Sequence, residues 1–115
     1  MPDSQPPLLA GTLDLLILKT LSLGPMHGYG IAHHILRLSG EALRIEEGSL
    51  YPALRRMQVK GWVASSLKNT PTGREARYYK ITAKGRTHLE AETKQLVRYG
   101  ELVTGILTTP TKARA

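Results

Sequence analysis

The side chains best equipped for chemistry in this chain are hydrogen-bond donors and cations. Ser49, Tyr51, Arg55 and Arg56 fall together between positions 49 and 56. Lys68, Arg74, Arg77, Lys80, Lys84 and Arg86 follow with one acid, Glu75, among them. Forked guanidinium donors suit guanine edges or phosphate, and hydroxyls suit either. A concentrated basic segment is the electrostatic footprint of a polyanion partner. On charge alone, a solvated basic surface explains the same residues.

Other chemistries lack their residues. Cysteine is absent, which removes disulfides, thiolate zinc sites and cysteine nucleophiles and suits a reducing cytoplasm. His27, His33, His34 and His88 do not show the i, i+4 spacing of a helical metal pair. Ser49 has no evident His–Asp partner set, and Asp3 and Asp14 form no carboxylate pair. Gly28-Tyr29-Gly30-Ile31-Ala32-His33 begins like a dinucleotide fingerprint, but it lacks the third glycine and a preceding strand, so its glycines read as close helix packing. No catalytic residue, metal site or cofactor is expected, and the chain does not read as an enzyme.

The 115 residues, 41% hydrophobic, suit one small domain with a modest core. The net charge of +7 is uneven: residues 1–60 hold six Lys/Arg and five Asp/Glu, and residues 61–115 hold ten and four. No apolar run reaches the roughly 18 residues of a membrane span, so no membrane partner is expected. The first residues, with Pro2, Pro6 and Pro7, lack the pattern of a secretory signal and read as a flexible arm over 1–10.

The elements that must position the donors follow from periodicity. Thr12 can cap a first helix carrying Leu13, Leu16, Ile17 and Leu21, ended by Gly24-Pro25. A second helix from about His27, which can pack or cap, turns Ile31, Ile35 and Leu38 to one face and stops at Ser39-Gly40. A third begins near Gly48-Ser49 with Pro52 in its first turn. It buries Leu50, Ala53, Leu54 and Met57, leaving Tyr51, Pro52, Arg55 and Arg56 on the opposite face. From Trp62 the period becomes two, around Val63 and Leu67. Asn69 to Gly73 is dense in turn formers, and Arg77 to Thr82 reads as a second strand. Thr82 can cap a last helix over residues 83–109, with bending or fraying expected at Gly100 and Gly105, and a tail over 110–115.

Three helices followed by a hairpin is the winged-helix arrangement of the helix-turn-helix class, here mainly α with a β-hairpin over residues 11–82. The outer face of the third helix then suits the major groove, with Ser49, Tyr51, Pro52, Arg55 and Arg56 as its DNA-binding residues. Lys68, Arg74 and Arg77 on the wing suit phosphate or the minor groove.

These residues resemble the PadR family of bacterial transcriptional regulators. The matching runs are Leu13–Leu18, Gly24–Ile31, Glu47–Met57, Lys60–Val63 and Arg77–Gly85, the most specific being Gly48-Ser49-Leu50-Tyr51-Pro52-Ala53-Leu54. The resemblance implies a dimeric, cytoplasmic winged-helix repressor on a pseudo-palindromic operator, with Tyr51 and Pro52 on its recognition helix. It also implies the small subfamily with a single C-terminal dimerisation helix. Some relatives release DNA on binding phenolic acids or flat hydrophobic drugs, which makes an aromatic small molecule a candidate effector. The tryptophan that drug-binding members carry on that helix is missing, and Tyr99 is its only aromatic.

The last helix has its own reason to pair. Leu89, Leu96 and Val103 lie seven apart, and Tyr99, Ile106 and Leu107 flank that stripe. A projecting helix with a heptad-like stripe pairs with another, here in a homodimer, or folds back as core. A two-fold would set two reading helices about 34 Å apart on double-stranded DNA. A protein-interaction module or a small-molecule sensor on the same fold are the alternatives.

Overall fold

The structure, a computed structural model, describes residues 11–111. The arm over 1–10 and the end of the tail, 112–115, lie outside the described residues. The elements are α1 (Thr12–Leu21), β1 (Met26–His27), α2 (Gly28–Leu38), α3 (Glu47–Val59), β2 (Val63–Asn69), β3 (Glu75–Ile81) and α4 (Ala83–Leu107).

The core gathers Ile17, Leu18 and Leu21 of α1, Ile31 and Ile35 of α2, Leu50, Ala53, Leu54 and Met57 of α3, and Val63, Tyr79 and Ile81 of the sheet. Each helix presents the i, i+3/i+4 face that its periodicity predicts. Ile45 from the connector completes the core. Leu38, expected on the buried face of α2, is instead exposed. It stands in the last turn of α2, where the chain leaves the core through Ser39 and Gly40.

The hairpin is part of a three-stranded antiparallel sheet of order β1-β3-β2. Val63 pairs Ile81, Ser65 pairs Tyr79, Leu67 pairs Arg77 and Asn69 pairs Glu75. The third strand, β1, pairs Met26 with Tyr79 and His27 with Tyr78. Two residues carry too little period to announce a strand. Leu67, expected to point into the core with Val63, shares its face but is exposed, because the hairpin has run past the helices by that residue.

Helix starts depart from expectation at two places. Thr12 is the first helical residue of α1, and Gly11 holds the cap position without a side-chain bond. α3 begins at Glu47, with the extended residue Glu46 at the cap position without a side-chain bond, so Pro52 lies in its second turn rather than its first. Two caps match the sequence reading. His27 Nδ1 accepts from the Gly30 N–H at 3.0 Å, and Thr82 Oγ1 accepts from the Gly85 N–H at 3.0 Å.

α4 runs unbroken through Gly100 and Gly105 and ends at Leu107, with the Thr108 N–H still bonded to the Thr104 carbonyl. Its first turns pack on α1 through Leu89, and Leu96, Val97, Tyr99, Leu102, Ile106 and Leu107 are exposed along the remainder. Among the described residues, no helix is long and apolar enough to cross a membrane.

Candidate nucleic-acid interface

The outer face of α3 carries the sequence-assigned donors, and the fold separates them by neighbourhood. Ser49, Tyr51, Pro52, Arg55 and Arg56 are exposed, while Leu50, Ala53 and Leu54 between them are buried. Arg55 shares a small groove with Tyr51, Gln58, Arg77 and Tyr79. Arg56 points elsewhere: its Nη2 donates to Asp14 Oδ1 at 3.2 Å. Neighbours on a helix differ in direction by about 100°, which takes Arg56 toward α1 and Arg55 toward the wing.

The wing is tied to α3 through one hydroxyl. Ser65 Oγ on β2 accepts from Gln58 Nε2 and from Arg77 Nη1, each at 3.0 Å. Ser65 sits on the inward face between Val63 and Leu67, so its polar side chain meets α3 at the edge of the core. Sequence reasoning missed Gln58 and Ser65. A serine breaking the apolar alternation of a strand was the available signal.

The wing tip is held by its own threonines. The Thr70 N–H bonds the Arg74 carbonyl at 2.7 Å, and Thr70 Oγ1 accepts from the Arg74 N–H at 3.2 Å. Between this tip and the start of α2 runs a groove of about 450 Å³, bordered by His27, Tyr29, Tyr51, Thr70, Arg74 and Arg77. Lys68 lies on the other face of the sheet, its Nζ 5.8 Å from the Tyr78 ring centre. The structure therefore brings Tyr51, Arg55, Arg74 and Arg77 around connected grooves and leaves Arg56 and Lys68 at the margins.

Tyr51 is seated as well as exposed. A Cβ on Gly28 would fall 2.5 Å from Tyr51 Oη and 2.7 Å from Cε1. Gly28 is thus the floor on which the ring lies, as expected of a packing glycine. Burial raises the Tyr51 phenol above its ordinary value of 10.0, with Tyr79 and then the Glu47 carboxylate adding to the shift. At neutral pH the hydroxyl is protonated and can donate.

A winged helix with three helices, wing and trailing helix in this order matches known proteins along most of its length. The family model of the transcriptional regulator PadR-like family matches residues 17–91. The chain belongs to the PadR-like family of transcriptional regulators. A PadR-like transcriptional regulator of Bacillus cereus is 29% identical, with a TM-score of 0.75 over 87% of this chain and 95% of that one. A Streptococcus mutans protein is 27% identical, with a TM-score of 0.80 over 96% of this chain and all, 100%, of its own. A 37.1-kDa protein of a Streptomyces fradiae transposon is 38% identical over 85 residues, which are 74% of this chain and 23% of that protein. The PadR-like regulator thus has the winged-helix architecture expected from its sequence, and the matched family and the Bacillus cereus neighbour are both described as transcriptional regulators.

Proposed function

We propose that this PadR-like regulator binds duplex DNA as a homodimer on a pseudo-palindromic operator and represses the adjoining gene. One observation carries the reading: the outer face of α3 and the basic wing border the same grooves, with Tyr51 and Arg55 on one side and Arg74 and Arg77 on the other. α3 enters the major groove, and Ser49, Tyr51, Pro52 and Arg55 meet base edges or the flanking phosphates. Lys68, Arg74 and Arg77 grip the backbone and supply affinity without sequence choice. Arg56 stands at the α1 edge of this surface, where it meets phosphate.

The pairing surface is the exposed side of α4 together with α1. An apolar groove of about 810 Å³ runs between them, bordered by Leu15, Leu16, Leu89, Thr93 and Leu96. Beyond it, Val103, Ile106 and Leu107 continue the same helix. A second copy laid antiparallel across this groove covers both stripes at once. Tyr99 stands exposed among Lys94, Gln95, Arg98 and Leu102, at the rim of that surface. The work of such a regulator lies in the cytoplasm, where its DNA is.

Footprinting on the DNA upstream of the chain's own gene tests the proposal. A two-fold protected site is the expected result. Absence of protection there, together with no enrichment of any duplex from a random pool, defeats it.

A further inference from the structure

The end of α3 and the start of α4 form one knot. α3 closes on a Schellman turn: the Gly61 N–H bonds the Gln58 carbonyl at 3.0 Å, and the Trp62 N–H bonds the Met57 carbonyl at 2.9 Å. Gly61 takes φ 79°, the left-handed value this turn requires. The carbonyls of that same turn are used by the residue that opens α4. The Thr82 N–H bonds the Trp62 carbonyl at 3.0 Å, and Thr82 Oγ1 donates to the Gly61 carbonyl at 2.6 Å. Because Thr82 Oγ1 also accepts from the Gly85 N–H, one hydroxyl closes the end of α3 and caps α4.

Three further contacts gather on Trp62 at the joint. Gly85 lies directly on the Trp62 carbonyl, so close that a Cβ there would collide with the oxygen. One turn on, the His88 ring stacks on the Trp62 ring, with centres 3.7 Å apart and planes 15° from parallel. Lys60 Nζ stands 4.8 Å from the Trp62 ring centre. Hydrogen bonds at a single point leave a hinge. Leu89 holds one side of α4 against α1, and the stack, six residues along the helix and about 9 Å from that point, holds it against the end of α3, which removes the swing.

We infer that the Trp62–His88 stack fixes the angle between α4 and α3 and thereby selects the spacing between half-sites that the dimer accepts. Trp62 and His88 are positioning residues that set specificity without touching DNA. The inference rests on the reading of α3 as the DNA reader and α4 as the pairing helix. Each base pair inserted between half-sites moves them about 3.4 Å apart and turns one against the other by about 35°. A stiff joint rejects such a change; a joint free to swing follows it.

The test is selection from a random duplex pool with the full chain, as wild type, His88→Ala and His88→Tyr. Trp62 is the chain's single tryptophan, so its emission reports directly whether the stack is present. The expected result is one half-site sequence for all three proteins. Wild type and His88→Tyr hold one spacing. His88→Ala accepts spacings one base pair longer or shorter, its preference for the best spacing falling about two- to tenfold, the worth of an aromatic pair. A purely stabilising role would lower the melting temperature and leave spacing preference unchanged, and that outcome overturns the inference. If no duplex is enriched even by wild type, the DNA-binding reading fails, and the inference with it. If wild type enriches single half-sites without fixed spacing, the pairing reading fails and takes the inference down too.

Discussion

Arg56 of α3 is tethered to Asp14 in the first turn of α1 by a hydrogen-bonded ion pair of 3.2 Å. The bond links α3 to α1 and orients a cation that would otherwise sweep the proposed DNA face. The Arg56 side chain is 56% exposed, so solvent screening keeps the pair's worth to about 0.2–1 kcal/mol. A double-mutant cycle of Asp14→Ala and Arg56→Ala in urea should return a coupling in that range. Asp14→Ala should also raise affinity for unrelated DNA, since the carboxylate no longer offsets the guanidinium charge that meets phosphate. A coupling near zero with unaltered DNA affinity would show the tether to be idle.

Arg55 and the wing cations should separate in their salt dependence. Arg55→Ala is expected to cost about 1–3 kcal/mol on the preferred duplex and little on random DNA, as for a bidentate base contact. Lys68→Ala and Arg74→Ala should weaken every duplex alike and each reduce the slope of log K against log salt by about 1. Titrations at several salt concentrations measure both quantities. Equal loss on preferred and random DNA for Arg55→Ala would move that residue from reader to phosphate grip.

Gly28 and Tyr51 should behave as one unit. Gly28→Ala places a methyl where the Tyr51 ring lies, so the ring must leave its seat or the helices must part, at about 1–3 kcal/mol. In a Tyr51→Ala background the same change should be nearly neutral, because the obstacle is gone. Chemical denaturation of the four proteins gives the answer. Equal cost in both backgrounds would mean that the backbone at Gly28, not Tyr51, resists the side chain.

The raised Tyr51 phenol gives a pH signature. The folded protein holds this proton more tightly than the unfolded chain does. Its contribution is therefore complete below the ordinary value of 10.0 and is lost as pH rises from there through the folded pKa. Subtracting the ultraviolet titration of Tyr51→Phe from that of wild type should isolate one transition above 10.0. The Tyr51→Phe protein should also lose stability less steeply over that range. A difference transition at or below the ordinary value would contradict the burial of the ring.

How much of this was legible in the sequence depended on the range of the signal. Leu50, Leu54 and Met57 announced the buried side of α3 through local period, and Thr82 announced α4 through cap chemistry. The Arg56–Asp14 tether joins residues 42 positions apart, and nothing local in either marks it. The Gln58–Ser65–Arg77 cluster depends on strand register, which fixes Ser65 opposite Tyr79 only once the hairpin has closed. β1 was missed because two residues have no period. Leu38 and Leu67 continue a correct pattern beyond the point where the core ends, and periodicity does not say where a core ends.

The α4 stripe offers the most direct test of assembly. Leu89 packs against the core, whereas Leu96 and Val103 lie outside it, so changes at the latter two should leave the protomer folded. Leu96→Glu with Val103→Glu places two acidic charges per protomer in the proposed seam, where the four of the dimer repel across the two-fold. Sedimentation should then report a monomer, while thermal unfolding loses its dependence on protein concentration. Affinity for a two-fold duplex should fall about a hundredfold or more, because two linked half-sites no longer act together. Affinity for an isolated half-site should hold. A dimer that survives both glutamates would place the pairing surface away from this face of α4.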